Sequence, residues 1–257
     1  MKSKNSIDIN ADLGEFQNDS QLAKELKILK YISSCSVACG GHIGDEISIR
    51  LILEECNKYD IAVGPHPSYP DKENFGRRKM NISLGDLDTS LRLQIQNFLD
   101  IADDLSIPVR HIKLHGALYN ETAKKEELTN LLIHIVESID RKLAIIGPMN
   151  SLLENEVAKT SISFISEGFI DRRYREDYSL VDRRTHGAIL ESIKEQIDQA
   201  RDIAVNQKVT TDNNQQISLN ADTLCFHGDN QNSLELIKGV SNMLIEEDIK
   251  IQKISFD

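Results

Sequence analysis

The sequence predicts an α/β chain folded as a (β/α) barrel of about seven parallel strands with a small inserted β-hairpin. Strand-like and helix-like stretches alternate along the 257 residues, an order that favours a parallel sheet over separate helical and sheet regions. Five of the strand-like stretches end in a polar residue directly before a loop: Asp12 in IDINAD, His42 just past SCSVAC, His66 in IAVGPH, His115 in HIKLH and His227 in TLCFH. In a parallel barrel such ends converge on one mouth, where an active site is assembled. The pattern points to an enzyme.

Strands are expected near 7–11, 34–39, 61–66, 111–115, 143–147, 162–167 and 223–227. Helices are expected near 19–31, 46–58, 86–104, 124–139, 150–158, 187–206 and 232–247. In the first strand Asp8, Asn10 and Asp12 share one face and Ile7, Ile9 and Ala11 the other; in the fourth, His111, Lys113 and His115 oppose Ile112 and Leu114. A strand buried between two helical layers would read as a continuous apolar run. One apolar face and one polar or small face instead suit a barrel, whose outer face packs on helices while its inner face lines a lumen. Ala62, Gly64 and His66 add small residues that leave room. An antiparallel sheet with one wet face gives the same alternation, but the intervening helices argue against it. In the helix near 124–139, Leu128, Leu131, Leu132, Ile135, Val136 and Ile139 form the apolar stripe, which places His134 on the surface with Glu127, Asn130 and Glu137. The segment 207–222, KVTTDNNQQISLNADT, reads as a hairpin inserted before the last strand. A long loop is expected from Glu167 to Arg184, and no linker divides the chain, so residues 1–257 are expected to form a single domain.

A net charge of −11 opposes binding to nucleic acid or anionic membrane. The start MKSKNSID lacks the apolar stretch of a signal peptide and no run is long enough to span a membrane, so a cytoplasmic location is expected. Cys35, Cys39, Cys56 and Cys225 form no CxxC pair and are read as reduced, buried thiols, although Cys39 and Cys225 lie near strand ends where a nucleophile could sit.

The chemistry falls in six blocks. NADLGE (10–15) ends a strand on Asp12, a general base or metal ligand if not simply a cap. ACGGHIGD (38–45) surrounds His42 with glycines that let a ligand approach, and Asp45 can cap the next helix. GPHPSYPDKENFGRR (64–78) holds His66 between prolines and closes on Arg77 and Arg78, a pair suited to a carboxylate or phosphate. HIKLHGALYN (111–120) turns Lys113 and His115 to one face; a lysine inside a barrel must find an anion. EGFIDRRYREDYSLVDRR (167–184) is either a solvated charge run or a lid contributing Asp171 and Arg172, and FHGDN (226–230) adds His227 and Asp229.

In this order the blocks NADLGE, ACGGHIGD, HPSYPDKENFGRR, KLHGALYN, FIDRRY with SLVDRR, and FHGD resemble the lactam-utilisation (LamB/YcsF) family over nearly the whole chain. The resemblance implies a distorted, TIM-like (β/α) barrel of the glycoside hydrolase/deacetylase kind. It also implies the A component of an ATP-dependent 5-oxoprolinase, working with its B and C partner subunits to open 5-oxo-L-proline (pyroglutamate) to L-glutamate as ATP is hydrolysed to ADP and phosphate. ATP would then be a co-substrate of the complex, since no GxxxxGK[ST] loop is present here. Asp12, assisted by His66 or His115, would act as general base, Arg77 or Lys113 would hold a carboxylate or phosphate, and His42 or His227 would protonate the departing nitrogen. Arg78, Asp171, Arg172 and Asp229 complete the candidate substrate contacts. The likeness to deacetylases also admits a divalent metal on Asp12 and the histidines, although no compact HxxH spacing marks one. Two other readings are a stand-alone metal-dependent amidohydrolase or deacetylase, and a non-catalytic substrate-binding subunit.

The chain departs from the usual family pattern at several loop positions. Ala11 and Phe16 stand for cysteine and glycine, Gly41 for phenylalanine, Ser68 and Leu114 for glycine and proline, and Tyr178 and Asp182 for glycine and proline.

Overall fold

A computed structural model describes residues 5–227 and 232–254. Seven parallel strands form the barrel: β1 (Ser6–Leu13), β2 (Ser34–Ala38), β3 (Ala62–His66), β4 (His111–Lys113), β5 (Ala144–Pro148), β6 (Phe164–Phe169) and β9 (Thr223–His227). Their order is β3-β2-β1-β9-β6-β5-β4. The barrel is nearly closed by a parallel bridge from Val63 to Val109, reinforced where Arg110 N donates to Val63 O at 2.9 Å. Gly64 makes that closure sterically feasible, because a Cβ there would lie 2.0 Å from His111 O. The room left by this small residue is taken by the neighbouring backbone.

The helices are α1 (Asp19–Ile28), α2 (Glu46–Lys58), α3 (Leu84–Asp104), α4 (Gly116–Thr122), α5 (Glu126–Glu137), α6 (Leu152–Val157), α7 (Ile193–Ala204) and α8 (Ser233–Glu246). Capping side chains set several of their starts. Asp45 and Ser48 form a capping box on α2, Ser83 accepts from Asp86 N on α3, and Ser192 with Glu195 boxes α7. The Ser192 cap explains why the helix expected from 187 begins only at Ile193. The helix expected near 124–139 is preceded by a separate short helix, α4, which starts at the glycine of HGALYN.

The inserted hairpin is present as β7 (Lys208–Thr210) against β8 (Gln216–Ser218), antiparallel. A two-residue strand, β10 (Lys250–Ile251), pairs with the start of β1 and is too short to leave a period-2 signal. The expected loop from 167 is also corrected: residues 167–169 complete β6, so Glu167 belongs to the barrel wall and is 1% exposed.

The two faces of β1 behave as their chemistry demands. Ile7, Ile9, Ala11 and Leu13 are buried in the apolar core, with the hydrophobic burial that drives such packing. Asp8, Asn10 and Asp12 are buried as well, and burial of polar groups is tolerable only with partners. Asp8 has three: the hydroxyls of Ser33, Ser34 and Thr223 all donate to its carboxylate.

Candidate active site

Asp12, Glu15, His42, His66, Lys113 and His115 meet at the C-terminal ends of β1 to β4. Lys113 rises from β4 into the lumen and is 2% exposed. Its ammonium lies 2.7 Å from Asp12 Oδ1 and donates to Glu167 Oε1 at 2.7 Å and Asn10 Oδ1 at 2.9 Å. Its three hydrogens go to Glu167, Asn10 and the Cys225 sulfur at 3.2 Å, with Asp12 beside them as an ion-pair partner. Burial works against the charge, but Asp12, Cys225 and Glu167 hold the Lys113 pKa well above its ordinary value. Lys113 is therefore the cation that neutralises two buried carboxylates, with no donor left over for a substrate anion.

The three histidines have their tautomers set by fixed acceptors. His66 Nδ1 donates to Lys113 O at 2.8 Å, and His115 Nε2 donates to Phe75 O at 3.0 Å. The Ser68 hydroxyl donates to Tyr69 O at 2.8 Å, so its oxygen accepts from His42 Nδ1 at 3.1 Å. When neutral, each ring then turns a lone pair toward the others and toward carboxylates. His66 Nε2 lies 3.0 Å from His115 Nδ1 and 3.3 Å from Asp12 Oδ2. Glu15 Oε1 lies 3.2 Å from His115 Nδ1 and 2.9 Å from His42 Nε2. Five acceptor atoms converge, and such a cluster is stable only around a proton or a metal cation.

Two sets have geometry fit for a cation: Asp12, His66 and His115, and Glu15, His42 and His115, with the ligand atoms of each within 4.8 Å of one another. His42 and His115 stack face to face, centroids 3.7 Å apart. Burial lowers the pKa of both rings, and for His42 the neighbouring His115 adds to it. Burial opposes the charge of Asp12, but His66 and Lys113 hold its pKa well below the carboxylate range, and His115 does the same for Glu15.

Glu15 is not singled out by the sequence, although it ends the NADLGE block. Its loop is fixed by Glu25 of α1, whose carboxylate accepts from Gly14 N at 2.8 Å and Glu15 N at 3.1 Å. Glu167 likewise reads from sequence as the start of a charge run. The available signal is its place at the end of the strand expected over 162–167, which the structure extends through Phe169.

On the other side of the mouth His227, at the end of β9, places Nδ1 2.6 Å from Asp171 Oδ2 and stacks on Phe169. A carboxylate on Nδ1 orients the ring and makes Nε2 the nitrogen for proton exchange. Burial opposes the Asp171 charge, but His227 holds its pKa below the ordinary value. Arg172 is buried and donates to Val181 O at 2.8 Å. Arg77 is exposed, its guanidinium 4.8 Å from the Phe75 ring centroid, and its charge reaches Arg172. Arg78 is exposed beside it and is not drawn into the histidine cluster. Asp229 lies outside the described residues. All four cysteines are buried; burial pushes Cys39 up to about 12 and, with Glu167, Cys225 well above its ordinary value, so neither is poised as a nucleophile.

Two departures from the family pattern lie against each other. A Cβ at Gly41 would lie 2.3 Å from Gln94 Oε1 and 2.4 Å from Ser68 Oγ, so a larger residue at 41 would require the Gln94 and Ser68 side chains to give way. Tyr178 has φ 65, the left-handed region that glycine adopts without strain.

A nearly closed parallel barrel that brings two carboxylates and three histidines to one mouth has the architecture of a barrel enzyme. The chain matches the LamB/YcsF family over residues 7–256 and belongs to it. It is 35% identical over 245 residues to the A component of 5-oxoprolinase from Campylobacter jejuni subsp. doylei, covering 95% of this chain and 96% of that one. It is 33% identical over 248 residues to the A component of 5-oxoprolinase from Staphylococcus aureus strain Newman, covering 96% and 99%. Among solved structures, the lactam utilization protein of Thermus thermophilus superposes with a TM-score of 0.87 at 26% identity, covering 97% of this chain and all of that one (100%). A family 4 carbohydrate esterase from Streptomyces lividans shares the fold, with a TM-score of 0.52 at 9% identity over 97% and 93% of the two chains.

Proposed function

We propose that this chain is the A component of an ATP-dependent 5-oxoprolinase, opening 5-oxo-L-proline to L-glutamate with its B and C partner subunits while ATP is hydrolysed to ADP and phosphate. The observation that carries the reading is the convergence of Asp12, Glu15, His42, His66 and His115 at one mouth, in a chain whose relatives bear that name. Hydrolysis of a lactam needs a group that takes a proton from water, one that gives a proton to the departing nitrogen, and donors for the substrate's charge.

The geometry supports one distribution of these tasks. Asp12 is a weak base because its pKa is depressed; it orients His66, and His66 or His115 takes the proton from water. His227, oriented by Asp171, gives a proton to the nitrogen. Arg77, exposed at the rim, meets the substrate carboxylate or a phosphate, with Arg172 behind it. In place of that proton role, the same lone pairs of His66 and His115, directed by Lys113 O and Phe75 O, would with Asp12 hold a divalent cation. Such a cation would polarise a carbonyl oxygen or lower the pKa of a water bound to it.

Glutamate release from 5-oxoproline should appear when the purified chain is combined with its partner subunits and ATP. In that assembly His115→Ala should abolish turnover while complex formation persists; retained turnover would make the mouth a scaffold. The metal set favours a second reading, a stand-alone amidohydrolase. It predicts cleavage of simple amides by the lone chain, lost with chelator and matched by bound metal on elemental analysis.

A further inference from the structure

Beside the charged cluster lies a pocket of about 260 Å³ that shares Glu167 with it and is otherwise separate. It sits between the ends of β5 and β6, helix α4 and the stretch 177–180, with walls that include Phe169, Met149, Leu152 and Leu180. Ligand pockets for drug-sized molecules start at roughly 300 Å³, so this one suits a small ring and not a nucleotide.

Two of its lining residues are buried polar groups. Tyr119 is 6% and Glu167 1% exposed, and among the described residues neither Tyr119 Oη nor Glu167 Oε2 has a hydrogen bond of good geometry, the hydroxyl meeting the Glu167 carboxylate in a poorly aligned contact. The other oxygen of Glu167 is taken by Lys113. Buried polar atoms without partners are costly, about 1–3 kcal/mol each, and they mark a place where a ligand would supply the missing bonds. Burial, then the Glu167 carboxylate, holds the Tyr119 hydroxyl well above its ordinary pKa, so it remains a donor opposite an acceptor.

A donor beside an acceptor is complementary to an amide whose N–H and C=O point the same way. Open-chain amides are almost always trans and direct the two groups to opposite sides. A five-membered lactam is locked cis by its ring and presents both on one edge, with apolar methylenes behind. We propose that this pocket binds the lactam ring, Glu167 Oε2 accepting from the ring N–H and the Tyr119 hydroxyl donating to the ring carbonyl. The proposal rests on the lactam reading above and adds to it where and by which atoms the ring is recognised.

The chain contains no tryptophan, so Tyr178→Trp places a single fluorophore on the pocket wall. With that variant, 2-pyrrolidinone should change the emission saturably. N-methyl-2-pyrrolidinone, which lacks the N–H, and N-methylacetamide, which is trans, should bind at least about tenfold more weakly, the usual penalty for a buried polar group left unpaired. Adding Tyr119→Phe, which removes one oxygen and no packing, should weaken 2-pyrrolidinone about tenfold. Ala123→Leu, which fills the pocket from α4's end, should abolish the response if Tyr119→Phe proves unstable. Equal binding of the three probes, no saturable response, or binding indifferent to both variants overturns the proposal. Lactam binding here without glutamate release by the complete complex would keep the pocket and remove the oxoprolinase activity. Glutamate release undiminished by Tyr119→Phe would keep the activity and remove the pocket.

Discussion

The two sides of the barrel mouth differ in how fully their polar atoms are used. On the histidine side, Lys113 spends every hydrogen, each ring of His42, His66 and His115 donates to a fixed acceptor, and Asp12 Oδ1, without a hydrogen bond among the described residues, is held in an ion pair 2.7 Å from the Lys113 ammonium. On the opposite side, Tyr119 Oη, Glu167 Oε2, Asp171 Oδ1 and Arg172 Nε are buried without a hydrogen bond of good geometry among the described residues. A saturated network holds a geometry, while an unsaturated one leaves bonds for a ligand to complete. The contrast favours a preorganised base on one side and, beside the His227–Asp171 pair, substrate recognition on the other.

Four experiments press on this division. Asp12→Asn removes the charge that orients His66 and should lower turnover of the reconstituted complex by about 10²–10⁴-fold, the usual worth of acid–base assistance. Activity within a factor of a few of the parent would dissolve the histidine side as a catalytic unit. Lys113→Met leaves Asp12 and Glu167 buried together without their cation and should cost about 3–5 kcal/mol in a urea titration. A cost under about 1 kcal/mol would show that water or another cation already serves them.

His111 tests the same side by pH. It is fully enclosed near Ser36, and burial lowers its pKa from 6.5 to about 3. The unfolded chain therefore binds the proton more readily, so the neutral ring's contribution is complete above pH 6.5 and is lost as pH falls toward 3. His111→Gln should flatten the acid loss of stability across that window, measured as urea midpoints; an unchanged slope would assign it to other groups. The smallest effect separates the two rim arginines. Arg77→Ala should raise KM for substrate with kcat little changed, and Arg78→Ala should leave both within about twofold. Equal effects would make the rim a diffuse positive field and not a contact.

Much of this is legible in the chain. The alternation of Asp8, Asn10 and Asp12 with Ile7, Ile9 and Ala11 locates the barrel interior, because a strand's period of two is a local property. The strand-end residues Asp12, His66 and His115 are identifiable for the same reason, and they do meet. Glu15 and Glu167 are harder. Glu15 depends on Glu25 receiving its loop backbone, and Glu167 on where β6 ends, and both are settled by contacts with distant elements. The α4 helix escapes a reading of the sequence because seven residues carry too little periodicity to stand apart from α5.

Local order determined the alternation of strands and helices, the apolar faces and the positions of the caps, since each depends on residues a few places apart. Which atoms are satisfied was decided by closure of the barrel. Lys113 meets Asn10 across 103 positions and Glu167 across 54, and His115 reaches His66 across 49. Separations of that size carry no signature in a single sequence. Whether a buried lysine is neutralised, or a tyrosine hydroxyl left waiting for a ligand, depends on which distant strands become neighbours.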